Sequence, residues 1–383
     1  MKISFSPAPA VPSGELTEAF GGRYYRINHS EALPTFFMNV VSASDLWLFL
    51  ASNGGLTAGR VNAEQALFPY QPVDKIYDSA AHTGPFSAFW VRRDGEPVLW
   101  EPFARHTAQL FRITRSLYKS LEGDRVWFEE INHDLALVFR YGWSTAGDHG
   151  FIRRSELENL HAAPASVRLL DGLHNLLPPG VHLALQSTSS SLVDAYKTAE
   201  VLPGSSLACY SLAAAITDRP IPVEALRTSA VWSEGLPGSR ILLSETQFPK
   251  FLAGGSPVAE PRCRGIRFAY ALTAELVLAP RSTQRWLMVA DTNLAHADVA
   301  ARAAALADGP QSPAVLAAAD DSTRLLRRLV AAADGLQAGA AATTSAHHFA
   351  NVLFNVMRGG VFAAGYDVPA DDFASFIHTR QRA

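Results

Sequence analysis

The sequence predicts a mainly β protein, a large antiparallel β-sandwich followed by a C-terminal α-helical linker region. Three observations carry this. From about Tyr24 to Asp291 short apolar runs alternate with turn residues, and helical periodicity is scarce. The runs are too many for a small sandwich, and open sheets of that extent curl or split into two packed layers. After Asp291 alanine takes over, and apolar residues recur at helical spacing. We therefore divide the chain at 292, with residues 1–292 as the sandwich and 293–383 as the helical region.

Taken in order, the run Leu-Trp-Leu-Phe-Leu at 46–50 reads as a buried strand, too short to span a membrane. Asn53-Gly54-Gly55 ends it. Residues 56–79 then read as one long connection carrying Arg60, Asn62, Glu64, Asp74, Lys75 and Asp78, punctuated by Pro69 and Pro72. Long irregular segments held by a rigid sheet are where binding groups tend to sit. Gly54 and Gly59 have the spacing of a phosphate-binding loop, but Arg60 and Val61 stand where lysine and a hydroxyl are required.

Farther on, Phe86-Ser-Ala-Phe-Trp-Val91 runs into Asp94-Gly95, a hairpin signal, and pairing resumes at 98–100. Further strands are expected at 110–118, at 126–132 after the turn Glu122-Gly-Asp, and at 135–141, 167–170, 207–216, 228–232, 241–243, 266–278 and 286–290. Helices are expected at 296–306, at 312–333 with Pro313 in the first turn, at 347–357 ended by Gly359-Gly360, and within 367–377. The second of these carries Leu325, Leu326, Leu329 and Val330 on one side, with Arg324, Arg327 and Arg328 partly opposite, so it needs a partner. Helices with apolar faces and no closing element lead us to expect a further domain beyond Ala383.

Composition narrows the function classes. Of 383 residues, 48 % are hydrophobic and 18 % charged, which is globular rather than disordered. Lysine plus arginine number 33 against 36 acidic residues, so the net charge of -3 offers no footprint for nucleic acid or an anionic membrane. Cys209 and Cys263 match no zinc or redox spacing and read as reduced core residues. The N-terminus has no continuous apolar segment of signal-peptide type, so the cytoplasm is the default expectation.

The candidate site residues fall into three groups. Arg60, Asn62, Asp74 and Lys75 suit a sugar or a phosphate, because amides and carboxylates fork onto vicinal hydroxyls and cations suit an anion. Glu129, Glu130, His133 and Asp134 place three carboxylates and an imidazole together. Strand alternation sends Glu129 and Glu130 to opposite faces, so at most one can work with His133. Most tryptophans fall within strand runs and read as core, but Trp143, beside a glycine-rich turn, is the one candidate for an exposed stacking platform. His347-His348 lacks the spacing of helical metal ligands, and no metal is expected. Asp194-Ala-Tyr-Lys197 is a further polar cluster without an assigned purpose.

Several motifs together resemble the N-terminal part of proteins similar to cellobiose phosphorylases: Phe36-Phe37-Met38, 52–60 (SNGGLTAGR), Ala66-Leu67-Phe68-Pro69-Tyr70, Asp74-Lys75-Ile76, 128–134 (FEEINHD), Asp171-Gly172-Leu173, 175–178 (NLLP) and 351–360 (NVLFNVMRGG). The resemblance spans nearly the whole chain. It implies a galactose mutarotase-like β-supersandwich, a helical linker and then an (α/α) toroid that carries the catalytic acid. In such inverting phosphorylases one carboxylic acid protonates the glycosidic oxygen while inorganic phosphate, the co-substrate, attacks from the opposite face. The toroid would lie beyond this chain, so no catalytic residue is assigned here and no cofactor is expected. The implied partners are a β-glucoside or oligosaccharide, the toroid and a second copy in a homodimer. Two alternatives stand beside this: a mutarotase-like epimerase using His133 with Glu129 or Glu130, and a non-enzymatic glycan-binding or dimerisation module.

Overall fold

Period-two alternation turns most of the chain before Leu294 into strands that pair with their sequence neighbours. The computed structural model describes residues 11–188, 190–216, 225–334, 339–357 and 369–380. A hairpin of β1 (Ser13–Ala19) and β2 (Gly22–Asn28) leads into β3 (Phe37–Val40), β4 (Leu46–Ala51), β5 (Leu56–Arg60) and β6 (Ala66–Phe68), then helix α1 (Val73–Ser79). Next come β7 (Gly84–Arg92), β8 (Val98–Trp100) and the single turn α2 (Thr107–Leu110). A four-strand meander follows, β9 (Ile113–Ser120), β10 (Val126–Asn132), β11 (Leu137–Ala146) and β12 (Gly150–Asn159), and then β13 (Ala165–Leu176).

After α3 (Leu183–Thr188) and α4 (Ser190–Tyr196) come β14 (Lys197–Val201), β15 (Ala208–Leu212), β16 (Thr228–Glu234) and β17 (Arg240–Ser244). Helix α5 (Phe248–Leu252), β18 (Arg262–Arg264) and the long strands β19 (Phe268–Leu278) and β20 (Thr283–Leu294) complete the β part. Among the described residues the helices α6 (His296–Asp308), α7 (Ser312–Asp334), α8 (Ala342–Met357) and α9 (Ala370–Arg380) follow.

The strands build three antiparallel sheets. The large sheet runs β1-β2-β9-β10-β11-β12-β20-β16-β15-β14-β18, a second β17-β19-β13-β7-β8, and a third β3-β4-β5-β6. The main core lies between the large sheet and the other two, with Phe89, Trp100, Phe139, Tyr141, Trp143 and Trp286 among its buried residues. Helix α5 covers the far side of the second sheet through Phe248 and Phe251. Helix α7 lays Val315 and Ala319 on the large sheet, then pairs Leu326 and Val330 with Val352 and Leu353 of α8 and with Val41. That pairing buries Leu326 and Val330, whereas Leu325 and Leu329 of the expected stripe stay exposed.

Several expectations are met and others corrected. The fold is mainly β with large antiparallel sheets and C-terminal helices, and the Asp94-Gly95 turn joins β7 to β8 with Gly95 at φ 87°. The supposed connection 56–79 is instead two strands, a 3-10 turn and a helix. Gly59 permits this, because a Cβ there would lie 2.5 Å from the Gln65 carbonyl oxygen and 2.6 Å from the Trp47 ring. A strand at 150–159 was not anticipated, because its alternation of arginine, glutamate and apolar residues hides an inward face of Phe151, Ser155 and Leu157. The stop at Gly359-Gly360, the end of the 351–360 motif and the start of the 367–377 segment lie outside the described residues. No helix among the described residues is long and apolar enough to cross a membrane.

Candidate functional site

Arg60, at the end of β5, is engaged within the fold. Its Nε donates to Asp291 Oδ1 at 2.7 Å, Nη1 to Asp45 Oδ1 at 2.6 Å and Nη2 to the Gly147 carbonyl at 2.6 Å. Asp291 is fully buried near the end of β20 and also accepts from Arg302 of α6. The arginine thus ties the third sheet to the large sheet and to helix α6. Burial works against its charge, but Asp291 and Asp45 outweigh it and raise the guanidinium pKa. Asn62 caps the following 3-10 turn by accepting from the Glu64 amide at 3.1 Å. Asp74 and Lys75 stand exposed in the first turn of α1. No hydrogen bond or ion pair among the described residues joins these four side chains.

The second group is likewise dispersed. Glu129 and Glu130 do face opposite ways. Glu130 is fully buried and accepts from Trp100 Nε1, the Phe103 amide and Arg115 Nε, each at 2.7 Å. His133 is exposed in the β10–β11 turn, its Nε2 2.8 Å from Thr114 Oγ1, and Asp134 accepts from the Arg112 amide and Nε. The Arg112 amide and guanidinium hold the Asp134 carboxyl below its ordinary range. No described bond links the imidazole to either glutamate. Trp143 is a correction: at 1 % exposure it is no stacking platform, because it shares the inward register of β11 with Phe139 and Tyr141 and meets Phe68 edge-on.

What the fold assembles lies on the outward face of the large sheet. Strand register aligns Asn28, Ser116, Glu129, Arg140, Glu156 and Arg285 in one row across β2, β9, β10, β11, β12 and β20. One step along the strands a second row runs Arg26, Tyr118, Trp127, Gly142, Arg154 and Leu287. Arg140 bridges Glu129 at 2.5 Å and Glu158 at 2.7 Å, while Glu129 also accepts from Tyr118 Oη at 2.9 Å and lies 3.7 Å from Arg26. Burial first, then the Glu129 charge, pushes the Tyr118 phenol well up. Gly142 makes room for the Trp127 indole, which a Cβ would meet at 2.3 Å. That ring is stacked on Phe20 at 4.1 Å and covered by Arg154.

Two cavities open along this face where α7 crosses it. One of about 150 Å³ is lined by Arg154, Glu156, Glu234, Arg285, Ser312 and Leu316. The other, of about 180 Å³, is lined by Phe20, Arg125, Trp127, Ser144, Arg154 and Asp320, with Leu316 again at its wall.

No family model matches this chain, and no curated protein does. Solved structures overlap it in part. A bacterial glucoamylase complexed with acarbose is 11 % identical over 80 % of this chain and 42 % of its own, with a TM-score of 0.41. A protein from the human microbiome provisionally assigned as a kojibiose phosphorylase is 10 % identical over 86 % of this chain and 32 % of its own, at 0.31. A GalM/aldose epimerase homologue from C. elegans is 9 % identical over 67 % of this chain and 98 % of its own, at 0.35. The chain thus spans less than half of the glucoamylase and of the phosphorylase.

The sequence reading missed Arg26, Tyr118, Arg140, Arg154 and Glu158. A signal was present: in β10, β11 and β12 the charged residues Glu129, Arg140, Arg154, Glu156 and Glu158 all fall on the register opposite the apolar core residues.

Proposed function

We propose that this chain is the sandwich and linker portion of a carbohydrate-active enzyme resembling inverting glycoside phosphorylases, and that it binds carbohydrate on the outward face of its large sheet. The observation that carries the reading is the cross-strand row around Glu129 and Arg140. Planar guanidinium and carboxylate groups held at fixed spacing suit the vicinal hydroxyls of a sugar. Arg26, with a side chain 29 % exposed, and Glu158, at 30 %, keep polar atoms open to a ligand at the rim. The motif resemblance supports the same assignment. On this reading residues 1–292 shape and bind, residues 293–383 connect to an (α/α) toroid, and the chain alone does not catalyse.

The test is a calorimetric or NMR titration of the chain with a panel of β-linked disaccharides, with glucose 1-phosphate release in the presence of inorganic phosphate followed in parallel. Saturable sugar binding that Arg140→Ala weakens, without sugar phosphate release, is the expected result. Sustained release would place a catalytic acid within this chain and overturn the assignment. Failure of every sugar to bind would remove the binding role.

A further inference from the structure

The guanidinium groups on the outward face of the large sheet are not equivalent. Arg26 lies near Glu15 and Glu129, Arg125 donates to Asp320, Arg140 bridges Glu129 and Glu158, and Arg285 donates to Glu156. Arg154 sits among them, and its guanidinium has no hydrogen bond and no ion pair among the described residues. It lies over the Trp127 ring, 5.0 Å from the centroid. It is half-buried, and that burial pushes its guanidinium pKa down, against the opposing pull of Glu156.

Its position is as unusual as its pairing. Both cavities are lined by Arg154, and Leu316 of α7 is the one residue that shares this with it among the described lining residues. The other ionisable side chains around the cavities already have hydrogen-bond partners. Asp320 takes Arg125 and Glu156 takes Arg285. Glu234 accepts from the Gln311 and Ser312 amides and the Ser312 hydroxyl at the start of α7. Arg154 is thus the one lining guanidinium without a bonded carboxylate among the described residues. The Ser144 hydroxyl, on the wall of the larger cavity, also has no hydrogen-bond partner among the described residues.

A guanidinium without a protein acceptor can fork onto an oxyanion through two parallel hydrogen bonds. The neighbouring residue shows that outcome: Arg153, on the opposite face, donates to both oxygens of Asp171 at 2.7 Å each. Cavities of about 150 and 180 Å³ fall below the roughly 300–1,000 Å³ of pockets for larger ligands, so the occupant is small. We propose that Arg154 anchors a small-oxyanion site in the cleft between the large sheet and α7, where a carboxylate or phosphate group forks onto the guanidinium beside the Ser144 hydroxyl.

This goes beyond the carbohydrate reading and can fail separately from it. The experiment is a calorimetric titration of the full chain with inorganic phosphate, with glucuronate and with glucose, at low and raised salt. Saturation by at least one anion and not by glucose is expected, with affinity falling as salt rises. The anion that binds identifies the source of the oxyanion. Arg154→Gln should weaken binding at least about tenfold, and Arg154→Lys, which keeps the charge and loses the fork, should lie between. Leu316→Trp, which fills the cleft and leaves Arg154 in place, should also abolish binding, and it decides the matter if Arg154→Gln does not fold. Absence of binding by both anions, or binding that Arg154→Gln or Leu316→Trp leaves unchanged, would overturn the proposal.

Discussion

Arg153 and Arg154 are consecutive residues of one strand, and they live in opposite surroundings. Arg153 points into the core, is fully buried, and meets Asp171, which is itself held by Ser87, Ser155 and Trp286. Arg154 points outward, over a tryptophan and between two cavities, with no carboxylate of its own. The strand's two-residue period produces the contrast, and the difference shows how the two faces of the large sheet are stabilised. On the inward face Arg153 is held by both oxygens of a buried carboxylate that three further side chains also bind. The outward face spreads its charges along rows, with partial exposure and one guanidinium that has no acceptor among the described residues.

The largest test of this contrast is to remove each cation in turn. Arg153→Met strands the Asp171 carboxylate in the core, and breaking a buried pair in this way costs about 3–5 kcal/mol. Arg154→Met gives up only a cation–π contact and some packing, about 0.5–1 kcal/mol. Urea denaturation midpoints of the two variants should differ accordingly. Equal losses would mean that Arg154 has a structural partner after all.

Next in size is Glu129→Gln. The carboxylate is 4 % exposed and serves Arg140 and Tyr118, and losing charge-assisted bonds of this kind costs about 1.5–3 kcal/mol. The variant has a second, independent signature. Since burial and then the Glu129 charge hold the Tyr118 phenol up, removing that charge should lower the phenol's pKa, and ultraviolet titration of tyrosinate absorbance would detect it. A phenol that titrates unchanged would show that the outward row is not electrostatically coupled. Gly142→Ala follows, at about 1–3 kcal/mol. Its new methyl would press on a Trp127 ring already held between Phe20 and Arg154, and tryptophan fluorescence should report the displacement.

The same two faces explain what could be read from the sequence. The Asp94-Gly95 hairpin, the helix at 312–333 and the opposite orientations of Glu129 and Glu130 each follow from local period and turn chemistry. Trp143 was legible too, because Phe139, Tyr141 and Trp143 share one parity; the adjacent glycines suggested exposure, and the alternation should have outweighed them. Arg60 was not. Its buried partner Asp291 is 231 residues away, and the nearer Asp45 is half-exposed, so the local sequence does not distinguish a latch from a ligand contact. Arg154 was hidden for a related reason, since being unpaired is a property of every residue that could have reached it.

Lys119 sharpens the comparison at its smallest scale, because it is an inward-side cation with no carboxylate fork like that of Arg153. Its ammonium donates to the backbone carbonyls of Asn39 and Gly123. Burial pushes its pKa down from 10.5 to about 7, with Asp124 acting in the opposite sense. Between about pH 7 and 10.5 the unfolded chain therefore holds a proton that the folded chain lacks, and folding stability rises with pH across that window. Below about pH 7 both states are protonated and the Lys119 contribution to the slope disappears. Lys119→Met should flatten the dependence of denaturation midpoint on pH from 7 upward, while a surface lysine replaced in the same way should not. An unchanged slope would mean that the ammonium stays charged in the fold, and that backbone carbonyls alone can hold a cation which, at Arg153, is matched by a carboxylate.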